Sequence, residues 1–203
     1  MAREVARQLG IVDINTGAAY RAVALAALRR GVDPDDGAEI AGLAKSVELY
    51  GGGVKFEGVP VPDEELRAPE VSDAASKLSA NPKLRSVLLP VQRNAAEEAR
   101  KGGGAVVEGR DIGTVVLPEA ELKIYLSASP EERARRRAAQ SGREEELERV
   151  KKAMSIRDKQ DSEREAAPLK PASDAVILDT TSMSFEEVVE RILVLARDLR
   201  KEA

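Results

Sequence analysis

The chain has no cysteine and no histidine among its 203 residues, and it has no tryptophan. Without cysteine there are no disulfides, and without cysteine or histidine the usual ligand sets of zinc sites are excluded. Histidine, the most frequent general acid or base, is also excluded. We therefore expect no disulfide, no zinc site and no histidine acid–base chemistry, and we assign no metal ligand to any residue.

Aromatic residues are also few, and the chain has no excess of positive charge. The chain has three Tyr and two Phe, and its net charge is −4, whereas nucleic-acid-binding surfaces are basic and stack bases on aromatic rings. No apolar run approaches the roughly 18 residues that a membrane span needs. The first ten residues, MAREVARQLG, lack the apolar core of a signal peptide. We expect a cytoplasmic protein with no nucleic-acid or membrane partner.

Short apolar runs alternate with helical patterns, which predicts an α/β fold with a parallel sheet flanked by helices. Strands are predicted over 11–14, 105–108, 122–126 and 175–179, the last three of them buried. Helices are predicted to begin after four polar residues that can act as N-caps: Thr16, Asn81, Ser129 and Ser184. Glu57-Gly58 marks the turn of a hairpin over 54–61, inside a Gly/Pro-rich region over about 47–70 that we expect to be a small insert.

The segment 105–118, AVVEGRDIGTVVLP, carries the strongest functional signal. Arg110 and Asp111 directly follow a predicted strand, and ligands of open α/β sheets bind at the carboxyl ends of strands. Further arginines at loops or helix ends suit phosphate and base edges, because the guanidinium is a planar fork of donors; they are Arg21, Arg85, Arg157 and Arg164. A structural ion pair between Arg110 and Asp111 is the alternative.

Four motifs, in order along the chain, resemble those of the bacterial cytidylate kinases, which are nucleoside monophosphate kinases. They are TGAAYR over 16–21, Ser76 with Arg85, Gln92 and Arg93, GRDIGT over 109–114, and RDKQDSER over 157–164 followed by Ala167-Pro168-Leu169. The resemblance runs along the whole chain. It implies a single kinase domain of the P-loop kinase type over 1–203, with a nucleoside-monophosphate-binding insert over 47–70 and a lid over 130–163.

The implied reaction is transfer of the γ-phosphoryl group of ATP to CMP or dCMP, with Mg²⁺, by a monomeric enzyme. CMP, dCMP and ATP are thus the expected partners. Phosphoryl transfer depends mainly on positioning and charge neutralisation, so the lack of histidine is no obstacle. A CMP-binding protein without catalysis and a kinase for another monophosphate are the alternatives.

The resemblance also implies roles for individual residues in binding CMP. Asp111, Arg85 and Ser76 match the residues that read cytosine, whose N4 amino group donates while N3 and O2 accept hydrogen bonds. Arg21 and Arg110 match residues that hold the monophosphate. Thr16, in the first motif, is a further expected substrate contact.

The remaining matches lie in the carboxyl-terminal half. Asp161 matches a residue that accepts from the ribose hydroxyls, with Arg157 holding it. Arg164 matches an arginine near the transferred phosphoryl group, and Arg133 and Arg137 lie where the lid closes on ATP. Arg110, Arg133, Arg137 and Arg164 are therefore the expected catalytic residues. A solvated pair between Asp161 and Arg164 is the alternative.

One expected element does not occur in the 203 residues. The family opens with a buried strand and the loop G-x-x-x-x-G-K-[ST], whose backbone cradles the ATP phosphates, and no such segment is found. We expect the first strand and this loop to be missing, so the ATP-binding residues are unassigned and neighbouring strands lose a partner. A misplaced start or a degenerate CMP-binding protein would explain this. Glu108 and Asn15 also stand where the family usually has Asp.

Overall fold

The computed structural model describes residues 1–142, 144–163 and 166–202. The chain divides into two compact units, Met1–Ile112 and Gly113–Ala203. No helix in the described ranges combines the length and apolar character of a membrane span. The single domain over 1–203 and the limits of the insert and lid stay predictions.

The first unit contains six helices and five strands within its described residues. They are α1 Ala2–Leu9, β1 Val12–Asn15, α2 Gly17–Arg30, α3 Gly37–Ala44, β2 Val47–Tyr50, β3 Gly53–Phe56, β4 Val59–Pro60, α4 Asp63–Leu66, α5 Pro69–Leu78, α6 Pro82–Lys101 and β5 Ala105–Glu108. β1 and β5 pair in parallel, with Val12 opposite Ala105 and Asn15 opposite Glu108. The predicted parallel pairing and the helices after residues 16 and 81 are confirmed.

Local chemistry explains several boundaries in the first unit. The side chain of Asn81 accepts from two backbone N–H groups in the first turn of α6, as predicted. Glu57 and Gly58 both have positive φ, 53° and 77°, which is the geometry of a two-residue hairpin turn. That turn joins β3 to β4, and β2 pairs antiparallel with β3 on the other side. β2, the third strand of this small sheet, was not predicted from the sequence.

Helix α2 forms the centre of the first core because its buried face consists almost entirely of alanine. Six of its seven buried residues are alanine, and the seventh is Val23. Small side chains allow neighbouring elements to approach closely, and α2 lies against α3, α5 and the strands β2 and β3. The larger residues of the same core include Ile40, Val54, Leu84 and Leu88, all fully buried. This packing holds α5 and α6, which carry two of the predicted site residues.

The second unit contains two parallel strands and three α-helices within its described residues. They are β6 Ile124–Ser127, α7 Pro130–Ser141, α8 Leu147–Glu163, β7 Val176–Asp179 and α9 Phe185–Glu202. A π-helical turn, Ile112–Val116, follows the GRD segment, and a short 3₁₀ turn, Glu144–Glu146, precedes α8. β6 and β7 pair in parallel from Ile124 opposite Val176 to Ser127 opposite Asp179.

Three predicted caps differ in their side-chain chemistry. Ser184 and Glu187 form a complete capping box, with each side chain accepting from the other residue's backbone N–H. At α7 only Ser129 caps, because arginines one turn later engage Glu132 and Thr181 accepts from the N–H of Ser129. Thr16 occupies the N-cap position of α2 but makes no side-chain cap.

The prediction that the strands β5, β6 and β7 are buried is wrong, because most of their residues are half-buried or exposed. Residues of β5 are half-buried except for the exposed Glu108, Leu126 of β6 is exposed, and Ile177 of β7 is 63% exposed. Parallel strands are normally covered on both faces. In the described ranges each of these sheets has only two strands, so apolar side chains remain in contact with solvent.

Candidate functional site

Arg85 and Asp111 form an ion pair with little access to solvent. Arg85 lies in the first turns of α6, and Asp111 follows the end of β5. The exposed fractions of the two side chains are 12% and 10%. Arg85 also donates to the backbone oxygen of Ser79, at 3.3 Å, and its guanidinium lies 5.9 Å from the ring centre of Tyr20. Two residues predicted to read cytosine are therefore in direct contact.

Ser76 lies on α5, one turn before Ser79, the residue that joins α5 to Arg85. Its hydroxyl oxygen is buried and has no hydrogen-bond partner among the described residues. A buried polar group without a partner costs free energy, and native proteins contain few of them. The hydroxyl of Ser76 is thus a buried polar group close to the residue that Arg85 contacts, and its role in reading cytosine stays a prediction.

The turn from β1 into α2 is fixed to the end of β5 by Thr16. Its backbone N–H and its hydroxyl both donate to the backbone oxygen of Glu108, at 3.0 and 2.9 Å. This explains why the hydroxyl does not cap α2. A Cβ on Gly109 would collide with the Thr16 hydroxyl. Because Thr16 is 3% exposed, the structure gives it a role in holding the turn, and its predicted contact with substrate stays untested.

Asn15 joins two side chains at the same strand ends. Its amide N–H donates to a carboxylate oxygen of Glu108 at 2.5 Å, and its amide oxygen accepts from the Arg21 guanidinium at 3.3 Å. Arg21 lies in the first turns of α2 and is half-buried, as is Arg110 after β5. The sequence marked Asn15 and Glu108 only as departures from the family pattern. Their contact follows from the strand register, which the sequence alone does not give.

In the second unit, Arg133 of α7 is held by two groups. It forms an ion pair with Asp158 of α8, and its Nε donates to the backbone oxygen of Ala128 at 3.2 Å. Arg137 lies one turn further along α7 and is half-buried. The two predicted lid arginines thus share one side of α7, and at least one of them is engaged by a carboxylate.

Arg136, which the sequence did not single out, has a structural role. It donates to the hydroxyl and the backbone oxygen of Thr180, at 2.9 and 2.6 Å, and to the backbone oxygen of Met183 at 3.0 Å. These bonds fasten α7 to the segment after β7. Only the position of this segment in the fold reveals the role, since the acceptors are more than 40 residues away.

Asp161 of α8 has a buried carboxylate with an exposed fraction of 6%. Arg157 lies near this carboxylate, with 3.9 Å between Nε and Oδ2, and the backbone oxygen of Asp161 accepts from the N–H of Leu169 at 2.7 Å. The predicted pairing of Arg157 with Asp161 is thus seen as a long contact. Arg164, predicted near the transferred phosphoryl group, lies outside the described residues.

Two electrostatic features bear on what the chain can bind. Hydrogen bonds from Arg135 and then Arg136 lower the pKa of Glu132 from its ordinary 4.5 to about 2. This carboxylate stays charged and engaged at neutral pH. Among the residues that the structure describes, no three Asp, Glu, His or Cys side chains are grouped so as to hold a metal ion.

Helices flank parallel strands, and paired arginine and aspartate stand where a strand ends. These features define an α/β protein whose architecture is consistent with that of a kinase. A sequence model of the cytidylate kinase family matches residues 1–198. The chain belongs to the cytidylate kinase family.

Curated relatives agree with the family match. The cytidylate kinase of Desulfitobacterium hafniense (strain Y51) is 45% identical over 206 residues, covering 98% of this chain and 87% of the relative. The enzyme of the same name from Geobacter sulfurreducens is also 45% identical, covering 96% and 85% of the two chains. That of Pelotomaculum thermopropionicum is 45% identical over all of this chain and 92% of its own length.

Proposed function

We propose that this phosphotransferase transfers the γ-phosphoryl group of ATP to CMP or dCMP. The observation that carries the proposal is the buried pair of Arg85 and Asp111, together with the unused hydroxyl of Ser76. Two charged groups and a hydroxyl held in this way can form a specific set of donors and acceptors. Family membership supports the reaction class.

The pair suits cytosine better than uracil. A carboxylate oxygen of Asp111 can accept from the N4 amino group, while Arg85 and Ser76 can donate to N3 and O2. Uracil carries a carbonyl at position 4, which would face the carboxylate acceptor and leave both groups unpaired. A site that loses a hydrogen bond in this way discriminates strongly.

Phosphate binding is assigned to Arg21 and Arg110. Arg21 lies in the first turns of α2 and Arg110 follows β5, and a guanidinium can bind phosphate through two parallel N–H donors. In the second unit we assign contact with the ribose to Asp161, held by Arg157, and contact with the phosphates of ATP to Arg133, Arg137 and Arg164. For Arg133 this requires that ATP compete with Asp158.

No general base is required. In phosphoryl transfer the protein mainly aligns the nucleophile with the γ-phosphoryl group and neutralises charge on its equatorial oxygens. Mg²⁺ is proposed to arrive on the ATP phosphates, as is usual for this ion. The described residues offer no carboxylate cluster that would hold it alone, and no protein ligand is assigned.

We further propose that the first strand and the phosphate loop of the family are not among these 203 residues. The chain has no G-x-x-x-x-G-K-[ST] segment. β5 pairs only with β1, and β6 only with β7, among the described residues. Each sheet therefore has an open edge that a further parallel strand could pair with. The intact mass of the native protein from its source cells tests this: a mass equal to these 203 residues would contradict the need for such a strand.

The activity is tested on the native protein with ATP and a panel of CMP, dCMP, UMP and AMP. We expect turnover of CMP and dCMP well above that of UMP and AMP. Asp111→Ala should lose selectivity for cytosine more than it loses affinity for phosphate. Asp73→Ala, which removes the same charge from an exposed position on α5, is the matched control. Equal turnover of the four nucleotides, or full selectivity in Asp111→Ala, would refute the assignment.

A further inference from the structure

Asn15 lies between the carboxylate of Glu108 and the guanidinium of Arg21 at the carboxyl ends of β1 and β5. Asn15 and Glu108 are register partners in the parallel pair, so their side chains emerge side by side. The amide N–H of Asn15 bonds to the Glu108 carboxylate, and its oxygen bonds to Arg21. An amide can make both bonds at once because it carries a donor and an acceptor. A carboxylate at this position could accept from Arg21 but could not donate to Glu108.

The surrounding glycine supports this arrangement. A Cβ added to Gly17 would lie 3.1 Å from a terminal nitrogen of Arg21 and 3.2 Å from the amide oxygen of Asn15. The first residue of α2 therefore leaves room for the bond between these two side chains. Thr16 holds the intervening turn to the backbone of Glu108. The space left by Gly17 and the bond from Thr16 to Glu108 thus help to set the position of the Asn15 side chain relative to Arg21.

We propose that Asn15 is a positioning residue that orients the Arg21 guanidinium through its amide oxygen, while its N–H anchors the amide on Glu108. This inference rests on the proposed binding of the CMP monophosphate by Arg21. An arginine held in advance loses less rotamer freedom when it binds, so its ligand binds more tightly. Asn15 itself need not touch the substrate.

The first test compares single variants in the native protein. Asn15→Ala removes the acceptor and should raise KM for CMP roughly 3- to 10-fold with a smaller change in kcat, the range expected for one hydrogen bond. Asn15→Asp keeps an acceptor oxygen for Arg21 and should restore KM to near the wild-type value. Asn94→Ala, at an exposed position of α6, is the control and should change neither constant. Equal KM in Asn15→Ala and the wild type, or an equal rise in the Asp and Ala variants, would overturn the proposal.

The second test examines the hydrogen bond between the Asn15 amide and the Glu108 carboxylate. Asn15→Asp places two carboxylates in contact, so its melting temperature at neutral pH should fall below that of the wild type. The double variant Asn15→Asp with Glu108→Gln restores one amide and one carboxylate with the wild-type net charge. It should recover the melting temperature while keeping KM low. Failure of the double variant to recover stability would show that the two side chains do not pair.

A readout without turnover separates this proposal from the function itself. NMR of the Arg21 side chain, identified by the signal lost in Arg21→Lys, should show slower rotation of the guanidinium in the wild type than in Asn15→Ala. If that difference appears but CMP is not a substrate, the positioning role stands and the proposed function fails. If rotation is the same in both proteins, the positioning role fails whatever the substrate.

Discussion

At the scale of single residues, Asp111 has one partner in the fold and one proposed partner in the substrate. It neutralises Arg85, and it is proposed to accept from the N4 amino group of cytosine. Removing one partner of a buried ion pair leaves the other uncompensated, which typically costs about 3–5 kcal/mol. The pair is therefore important for the free energy of unfolding as well as for the proposed selectivity.

Asp111→Asn should narrow the discrimination between CMP and UMP. The amide keeps an oxygen for the N4 amino group, and its NH₂ can donate to O4 of uracil, so the ratio of kcat/KM for the two nucleotides should fall about tenfold or more. Stability should fall as well, because Arg85 loses its counter-charge. Asp73→Asn on the exposed side of α5 is the control. An unchanged ratio would show that Asp111 does not face position 4 of the base.

Ser76 offers a prediction in which stability and binding move in opposite directions. Ser76→Ala removes a buried hydroxyl that has no partner among the described residues, and alanine favours helix α5. We expect the free chain to be as stable as the wild type or more stable by up to about 1 kcal/mol, with weaker binding of CMP by calorimetry. Ser86→Ala on α6 controls for the helix preference. Loss of stability without loss of binding would contradict the role in cytosine recognition.

At the scale of secondary-structure elements, the caps of α7 and α9 differ in a way that stability measurements can detect. α9 begins with a reciprocal capping box, whereas α7 has the serine half only. In α7 the carboxylate that would complete the box is engaged by Arg135 and Arg136 instead.

Ser184→Ala should cost about 1 kcal/mol of unfolding free energy, since it exposes a helix N–H that the hydroxyl now satisfies. Ser184→Thr keeps a hydroxyl at the cap and should retain most of the stability. Urea denaturation of the two variants and the wild type measures the difference. Equal stability of the alanine variant and the wild type would mean that water replaces the cap without loss.

Glu132 gives a pH dependence with a definite sign. Its pKa is about 2 in the folded chain, against an ordinary value of 4.5, because Arg135 and Arg136 donate to it. A lowered pKa contributes stability above pH 4.5 that is lost as the pH falls from 4.5 towards 2. Glu132→Gln should therefore flatten the fall in stability over that window and lower stability at neutral pH. Melting temperatures between pH 2 and 7 check this, and parallel curves for the two proteins would exclude the effect.

At the scale of the whole molecule, β5 and β6 each have one edge that pairs with no strand among the described residues. The N–H of Thr16 donates to Glu108 and that of Thr180 donates to Ser127. The backbone N–H and C=O groups of successive residues point to opposite sides of a strand. Glu108 and Ser127 face the paired strands, so the N–H and C=O groups of Val107 in β5 and Leu126 in β6 point away from them. Both open edges are consistent with the proposed need for a further strand.

Hydrogen exchange tests the open edges residue by residue. In the 203-residue chain the amides of Val107 and Leu126 should exchange much faster than those of Val106 and Tyr125, which face the paired strands. Adding a strand and phosphate loop of a relative before Met1 should slow exchange at Val107 and Leu126 and leave the other two nearly unchanged. Slow exchange at Val107 and Leu126 in the 203-residue chain would contradict open edges.

Sequence reasoning predicted much of this protein because its signals were local. Asn81 before Pro82, the turn at Glu57-Gly58 and the N-cap at Ser184 act within four residues, so their geometry follows from residue type. The GRD segment after β5 was predicted to carry a site for a similar reason, since polar residues at strand ends share one edge of a sheet.

Contacts between distant residues depended on the tertiary structure. Only the packing of α6 beside the end of β5 brought Arg85 to Asp111, and only the register of β1 with β5 brought Asn15 to Glu108. The predicted burial of 175–179 failed because burial depends on which strands and helices cover a sheet, and a short apolar run carries no information about its neighbours. The sequence by itself determined the starts of four helices, the turn at Glu57-Gly58 and the family, because those depend on neighbouring residues and on motifs. The tertiary structure decided which side chains meet and which strand edges stay open, because these depend on long-range packing.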